Sequence, residues 1–92
     1  MLDREHRKVW FSGHVQGVGF RFTTHRIAGH YSISGYVQNL PDGRVVVEVE
    51  GESNEIERFL SEIADQLGDH IHDKQKLVSR YQGQFTTFTI RH

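Results

Sequence analysis

Residues 53–67 carry Ile56, Phe59, Leu60, Ile63, Ala64 and Leu67 at helical spacing, with charged residues between them. A helix apolar along one side only needs a flat apolar surface to cover, and that requirement restricts the fold severely. Ser53 or Asn54 supplies an N-cap, Glu55 and Glu57 lie where the helix dipole favours anions, and Gly68 is a natural stop. A second stripe, Phe20, Thr24, Ile27, Ala28 and Tyr31, follows the same period. Two such helices call for a sheet, and the other segments read as its strands. Residues 8–13 alternate loosely, with Val9 and Phe11 on one side. Residues 35–40 and 44–50 are strand-like and joined by Pro41-Asp42-Gly43, a hairpin turn. Residues 77–82 and 85–91 read as further strands around Gly83, and in the last of them Phe88 and Ile90 alternate with Thr87, Thr89 and Arg91. Residues 69–76 (DHIHDKQK) are polar and read as a loop. The order is β-α-β-β-α-β with a short extra C-terminal strand. The expected class is therefore α+β, a ferredoxin-like sandwich with a mostly antiparallel sheet and two helices on one face.

A chain of 92 residues is expected to form one domain, 1–92, with one modest core. It has no cysteine, which excludes a disulfide framework, a thiolate nucleophile and sulfur-ligated metal. The N-terminal segment MLDREHRKVWF lacks an apolar run of signal-peptide length, and no stretch approaches a membrane span. The expectation is a cytoplasmic protein with no membrane partner. Net charge is −1 overall, but +3 over residues 1–30, −6 over 41–66 and +2 over 67–92. That balance argues against a broad nucleic-acid-binding face, while a small anion is favoured near the N-terminal third.

The stretch SGHVQGVGFRF, residues 12–22, lies between the first strand and the first helix. Its glycines allow the left-handed conformations that turn successive N–H groups toward one point. A helix N-terminus directly downstream adds unpaired N–H donors and partial positive charge, an environment that suits phosphate. Arg21 falls at the start of that helix, where the dipole disfavours a cation. Its placement is explained if its guanidinium fork and the N–H groups hold the same anion. Taken alone, the same glycines also suit a plain turn, and the arginine a solvated position. Neither GxxxxGK[ST] nor GxGxxG is present. Asn39 shares a strand face with Val37 beside the hairpin. It reads either as a turn-flanking asparagine or as a carboxamide that holds a water for attack.

The stretches GHVQGVGFR, GYVQNLPDGRVVVEVEG and the terminal FTIRH together resemble the acylphosphatase family. The paired signatures G-x-V-Q-G-V-x-F-R and G-x-V-x-N-x-x-D-G occur at the family's separation, and the resemblance runs from about residue 8 to 67 and again at the end. It implies a small enzyme that hydrolyses the carboxyl–phosphate bond of acyl phosphates, giving inorganic phosphate. It also implies that Arg21 binds the phosphate with the backbone N–H groups of His14, Val15, Gln16, Gly17, Val18, Gly19 and Phe20, and that Asn39 positions the attacking water. No metal, cofactor or covalent intermediate is implied, and a monomer is expected. The chain departs from the family pattern at Tyr36, where tryptophan is common, and at His14, where arginine is frequent. Residues 67–77 lack the Gly-Pro and valine spacing often seen in bacterial members.

Seven histidines raise the question of a metal. His70 and His72 alternate between Asp69 and Asp73, yet no third ligand follows at a known spacing, so a solvated loop is the better reading. His25 reads as a helix-surface residue and Thr24 as part of the packed stripe. An RNA-recognition module shares the element order, and GVGFRF resembles part of its aromatic motif, but that motif belongs on the third strand. A catalytically silent phosphate- or carbamoyl-phosphate-binding module, as at the start of hydrogenase-maturation proteins, is the other rival. Proline usually follows the motif arginine there, whereas Phe22 follows Arg21 here, and the chain ends after one domain.

Overall fold

The computed structural model describes residues 3–92. The chain runs through β1 (Arg4–Gly13), α1 (Phe20–Ala28), β2 (Ile33–Asn39), β3 (Val45–Glu52), α2 (Ser53–Leu67), a 3-10 turn (Gly68–His70), β4 (Ile71–Arg80) and β5 (Phe88–Arg91). The sheet order is β4-β1-β3-β2-β5. β1 pairs antiparallel with β3 and β4, β2 pairs antiparallel with β3, and β5 joins β2 in parallel. The expected α+β, ferredoxin-like arrangement is the one observed. Among the described residues no helix is long and apolar enough to cross a membrane.

Register decides which residues meet. Val9 pairs with Val47, Phe11 with Val45, and Val37 with Val47, so these side chains share one face of the sheet. Phe20, Ile27 and Ala28 of α1 and Ile56, Phe59, Ile63 and Leu67 of α2 pack against them as a single core. Burying each of the larger side chains stabilises the fold by about 1.5–3 kcal/mol relative to leaving it exposed. Both helices lie on this face, as their apolar stripes require.

The opposite face is polar and partly covered. His6, Glu48, Glu50 and Tyr36 alternate onto it, and Phe85 from the segment before β5 lies beside the rings of His6 and Tyr36 at 6.1 and 5.9 Å. Burial and a hydrogen bond to Glu48 push the Tyr36 phenol up to about 12, although Arg91 pulls the other way. The Arg91 guanidinium lies 3.8 Å from the centre of that ring. An aromatic side chain at this position therefore serves as the platform for β5.

Several boundaries differ from the sequence reading. Residues 71–76 are not loop but the first half of β4, paired with β1 from Gly13↔Ile71 to Glu5↔Arg80. The strand is an edge with almost every residue exposed, so no apolar alternation marked it. α1 ends at Ala28, and Tyr31 lies beyond it, donating from its hydroxyl to Glu62 at 2.6 Å. α2 begins at Ser53 with no side-chain cap, and Gly68 stays right-handed at φ −57° as the chain tightens into the 3-10 turn. β5 starts at Phe88, later than the expected residue 85.

Candidate active site

The site is built where β1 hands over to α1. Val15 and Phe20 are buried and anchor the two ends of the connecting loop in the core. Between them Gly17 and Gly19 both take φ +79°, a left-handed conformation that costs an L side chain about 1–2 kcal/mol. Gly19 is the N-cap residue of α1, and its carbonyl accepts the first helical hydrogen bond from Thr23 N–H at 2.9 Å. The N–H groups of Phe20, Arg21 and Phe22 therefore have no partner within the helix. No side chain caps this end and no acidic residue occupies its first turn, so its partial positive charge faces the loop uncompensated.

Gln16 ties the loop to the β2–β3 hairpin. Its carboxamide N–H donates to the carbonyls of Leu40 and Arg44 at 2.8 and 2.9 Å. The hairpin is itself closed by Leu40 N–H to Arg44 C=O at 2.8 Å and Gly43 N–H to Leu40 C=O at 3.1 Å. Asp42 braces it through Arg44, whose backbone N–H, donating to the carboxylate at 3.0 Å, holds that carboxyl below the usual carboxylate range. Asn39 is the last residue of β2 and pairs with Val45, which sets its side chain on the helix-covered face of the sheet. Its Oδ1 is buried there with no hydrogen-bond partner. A buried carbonyl oxygen left unpaired costs about 1–3 kcal/mol.

These pieces enclose a pocket of about 220 Å³. Val15, Gly17, Gly19, Phe20, Arg21 and Asn39, all singled out from sequence, line it. His14, Gln16 and Val18 do not. The sequence reading missed Phe22, Ile90 and His92, which complete the lining. Ile90 and His92 arrive through the parallel pairing of β5 with β2, where Ile90 stands beside Val37. Only the alternation of Phe88 and Ile90 hinted at this, and it does not reveal which strand is the neighbour. Among the described lining residues none is a carboxylate. Arg21 donates from Nη1 to His92 Nδ1 at 3.0 Å and to the Arg91 carbonyl at 3.4 Å.

A larger groove of about 350 Å³ runs along β1, β4 and α2, but its central Arg7 is already engaged by Glu5 and by Glu57 at 2.7 Å. Its other cations, Lys74 and Lys76, lie on the exposed edge strand, and among the described residues no helix N-terminus opens into it. His14 and His70 rings lie 6.2 Å apart, and among the described residues no group of three or more His, Cys, Asp or Glu is arranged to hold a metal ion. The pocket at the start of α1 is the one that combines N–H donors, a cation and an unpartnered carboxamide. That donor set fits a small tetrahedral anion with a water beside it.

Comparison with known proteins identifies the family. The family model described as Acylphosphatase matches residues 7–90. An acylphosphatase of Archaeoglobus fulgidus is 50% identical over 56 residues, 61% of this chain and 63% of that protein. The match thus spans less than two thirds of that relative's length. The crystal structure of acylphosphatase from Bacillus subtilis superposes with a TM-score of 0.87 at 28% identity, covering 96% of this chain and 99% of that one. Full-length HypF, in its phosphate- and nucleotide-bound form, matches at 31% identity with a TM-score of 0.85, covering 100% of this chain but 12% of that one.

Proposed function

This chain belongs to the acylphosphatase family, and from that membership we propose that it hydrolyses the carboxyl–phosphate bond of acyl phosphates to a carboxylate and inorganic phosphate. The observation that carries the reading is the convergence, around one small pocket, of the Gly17–Gly19 turn, the open end of α1, Arg21 and the unpartnered Asn39.

An acyl phosphate is an activated mixed anhydride, and its carboxylate leaves without needing a proton. The protein then has to position the phosphoryl group and stabilise charge on it as the bond breaks. In this reading the phosphoryl oxygens are held by the Arg21 guanidinium and by N–H groups of the 14–20 loop, those of its lining residues Val15, Gly17, Gly19 and Phe20 foremost. Arg21 exchanges the imidazole of His92 for the stronger, charged acceptor. Asn39 Oδ1 accepts from a water and holds it in line with the leaving oxygen. The water oxygen bonds to phosphorus, the bond from phosphorus to the acyl oxygen breaks, and the carboxylate departs with the electron pair. The surplus proton passes to phosphate and solvent. No strong base is needed, because the leaving group is good.

The same reading takes residues 1–92 to act as one domain, as a monomer in the cytoplasm. It invokes no metal, cofactor, nucleic acid or membrane. A second reading, a silent phosphate-binding module serving a larger protein, is favoured by the HypF match, which lies within a much longer chain. The match to the Bacillus enzyme, which covers nearly the whole of that protein, favours hydrolysis.

The test is hydrolysis of benzoyl phosphate in EDTA by the wild type, Arg21→Ala and Asn39→Ala, each checked for native circular dichroism. Rapid turnover in the wild type, falling by about 10²–10³ in each variant, is expected when a pre-organised donor to the transition state is lost. Folded wild type that binds phosphate but hydrolyses nothing would overturn the reading in favour of the binding module.

A further inference from the structure

Phe22 is 69% exposed, although it lies one residue beyond Arg21 in the first turn of α1. A single exposed apolar side chain needs no explanation by itself. Its position does, because Phe22 and Ile90 line the same pocket as Arg21 and Asn39. Residues two apart on a helix do not share a face, so while Phe20 points into the core, Phe22 is turned away from it. The ring therefore adds little to packing, yet it stands at the mouth of the candidate site.

The pocket lining is of two chemical kinds. Gly17, Gly19, Arg21 and Asn39 supply donors and charge, while Phe22 and Ile90 supply an apolar wall. His92 borders that wall, and its Nδ1 accepts from Arg21 until the phosphoryl group takes its place. At about 220 Å³ the space is below the roughly 300–1,000 Å³ typical of drug-sized ligands. It suits a phosphoryl group with a compact acyl group beside it. If the donors take the phosphoryl group, the acyl group emerges toward Phe22.

We infer that Phe22, supported by Ile90, forms the acyl subsite and selects acyl phosphates whose acyl group is apolar, with aromatic groups preferred. This rests on the hydrolytic reading above and names its substrate class. An aromatic acyl group gains face or edge contact with the Phe22 ring as it leaves water. Acyl groups bearing amino or hydroxyl functions, a carbamoyl group included, meet in Phe22 and Ile90 side chains that offer no hydrogen bond and lose part of their solvation there.

The experiment compares kcat/KM for benzoyl phosphate and acetyl phosphate in the wild type, Phe22→Leu and Phe22→Ala, together with competitive inhibition by inorganic phosphate. The benzoyl-to-acetyl ratio is expected to exceed one in the wild type and to fall about tenfold in Phe22→Ala, the effect of losing an aromatic contact of this kind. Phe22→Leu should fall between, and the inhibition constant for phosphate should shift less than about twofold in either variant, since a neutral ring contributes little to anion binding. A wild type that hydrolyses both acyl phosphates with a ratio unchanged in Phe22→Ala overturns the acyl subsite and leaves hydrolysis standing. So does an equal loss on both substrates accompanied by weaker phosphate inhibition. A wild type that hydrolyses neither substrate overturns the hydrolytic reading itself, and the acyl subsite with it.

Discussion

Glu50 is 1% exposed and accepts three hydrogen bonds, from His6 Nδ1 at 3.0 Å, Gln82 N–H at 2.9 Å and Gln84 N–H at 2.8 Å. The last two fasten the segment before β5 onto the polar face of the sheet, and β5 in turn brings Ile90 and His92 to the pocket. A hydrogen bond to a charged group contributes about 1.5–3 kcal/mol net, so three would sum to a large share of a small domain's total stability of about 5–15 kcal/mol. Gln82 and Gln84 are exposed, and their amides can turn to water once released. Breaking the cluster with Glu50→Ala should therefore cost about 3–5 kcal/mol, as for a buried ion pair that loses one partner. Glu50→Gln keeps the shape and one carbonyl acceptor, and about 2 kcal/mol is expected. pH adds an independent check. Burial, the largest influence on the Glu50 carboxyl, pushes it up, but the His6 hydrogen bond, the two backbone N–H groups and the His6 charge together hold it below its ordinary value of 4.5. A carboxylate whose folded value is lowered contributes stability that is present above the unfolded value and lost as pH falls through the folded one. The stability gap between wild type and Glu50→Gln should thus be full at neutral pH and shrink in acid below about 4.5. Urea unfolding across pH, with amide exchange at Gln82 and Gln84, measures both effects. A neutral-pH gap under about 0.5 kcal/mol, well below one charged hydrogen bond, would refute the assignment. A gap independent of pH would refute the charged state of Glu50.

Gln16→Ala removes two neutral hydrogen bonds and should cost about 1–2 kcal/mol, or a melting-point drop of roughly 5–15 °C by calorimetry. The same variant should raise KM for benzoyl phosphate, because the loop is no longer fixed to the hairpin; an unchanged KM would show that the loop holds its shape alone. Gly19→Ala should cost about 1–2 kcal/mol for conformational reasons only, since an added Cβ meets nothing within 4 Å. A semisynthetic protein with D-alanine at position 19 should recover that loss, and failure to recover it would point to a hidden steric contact.

Burial is what a sequence advertises. The stripes of α1 and α2 and the valines of β3 were legible because each must face the core, and the core pattern then dictated the element order. Arg21 and Asn39 were legible for a different reason, the motifs that surround them. The first half of β4 was not legible. DHIHDKQK pairs with β1 along an exposed edge, and the ladder that makes it a strand joins residues about sixty positions apart, with no local apolar period to announce it. Gln16 was read for its backbone N–H, yet its side chain links loop to hairpin, a contact set by tertiary approach. Ile90 and His92 escaped for the same reason, since they meet Arg21 only after β5 has paired with β2, while Phe22, next to Arg21 in the chain, carries no local signal that its exposed ring lines the pocket.

Asn39 shows how the two kinds of signal combine. Its alternation with Val37 assigns it to the apolar face, and local consistency would place another valine there, opposite Val45. A carboxamide at that point leaves Oδ1 buried and unpaired, which an isosteric apolar side chain would avoid. Thr24 Oγ1 is buried and unpaired as well, but threonine is close to valine in shape and Thr24 does not line the pocket. A carboxamide on the core-facing side that does line it marks Asn39 as serving something other than packing. The departure falls beside the open end of α1 and Arg21, where an acceptor for a water hydrogen is the group still missing. The local cost of an unpaired oxygen and the proposed chemistry of water attack are then two consequences of the same atom.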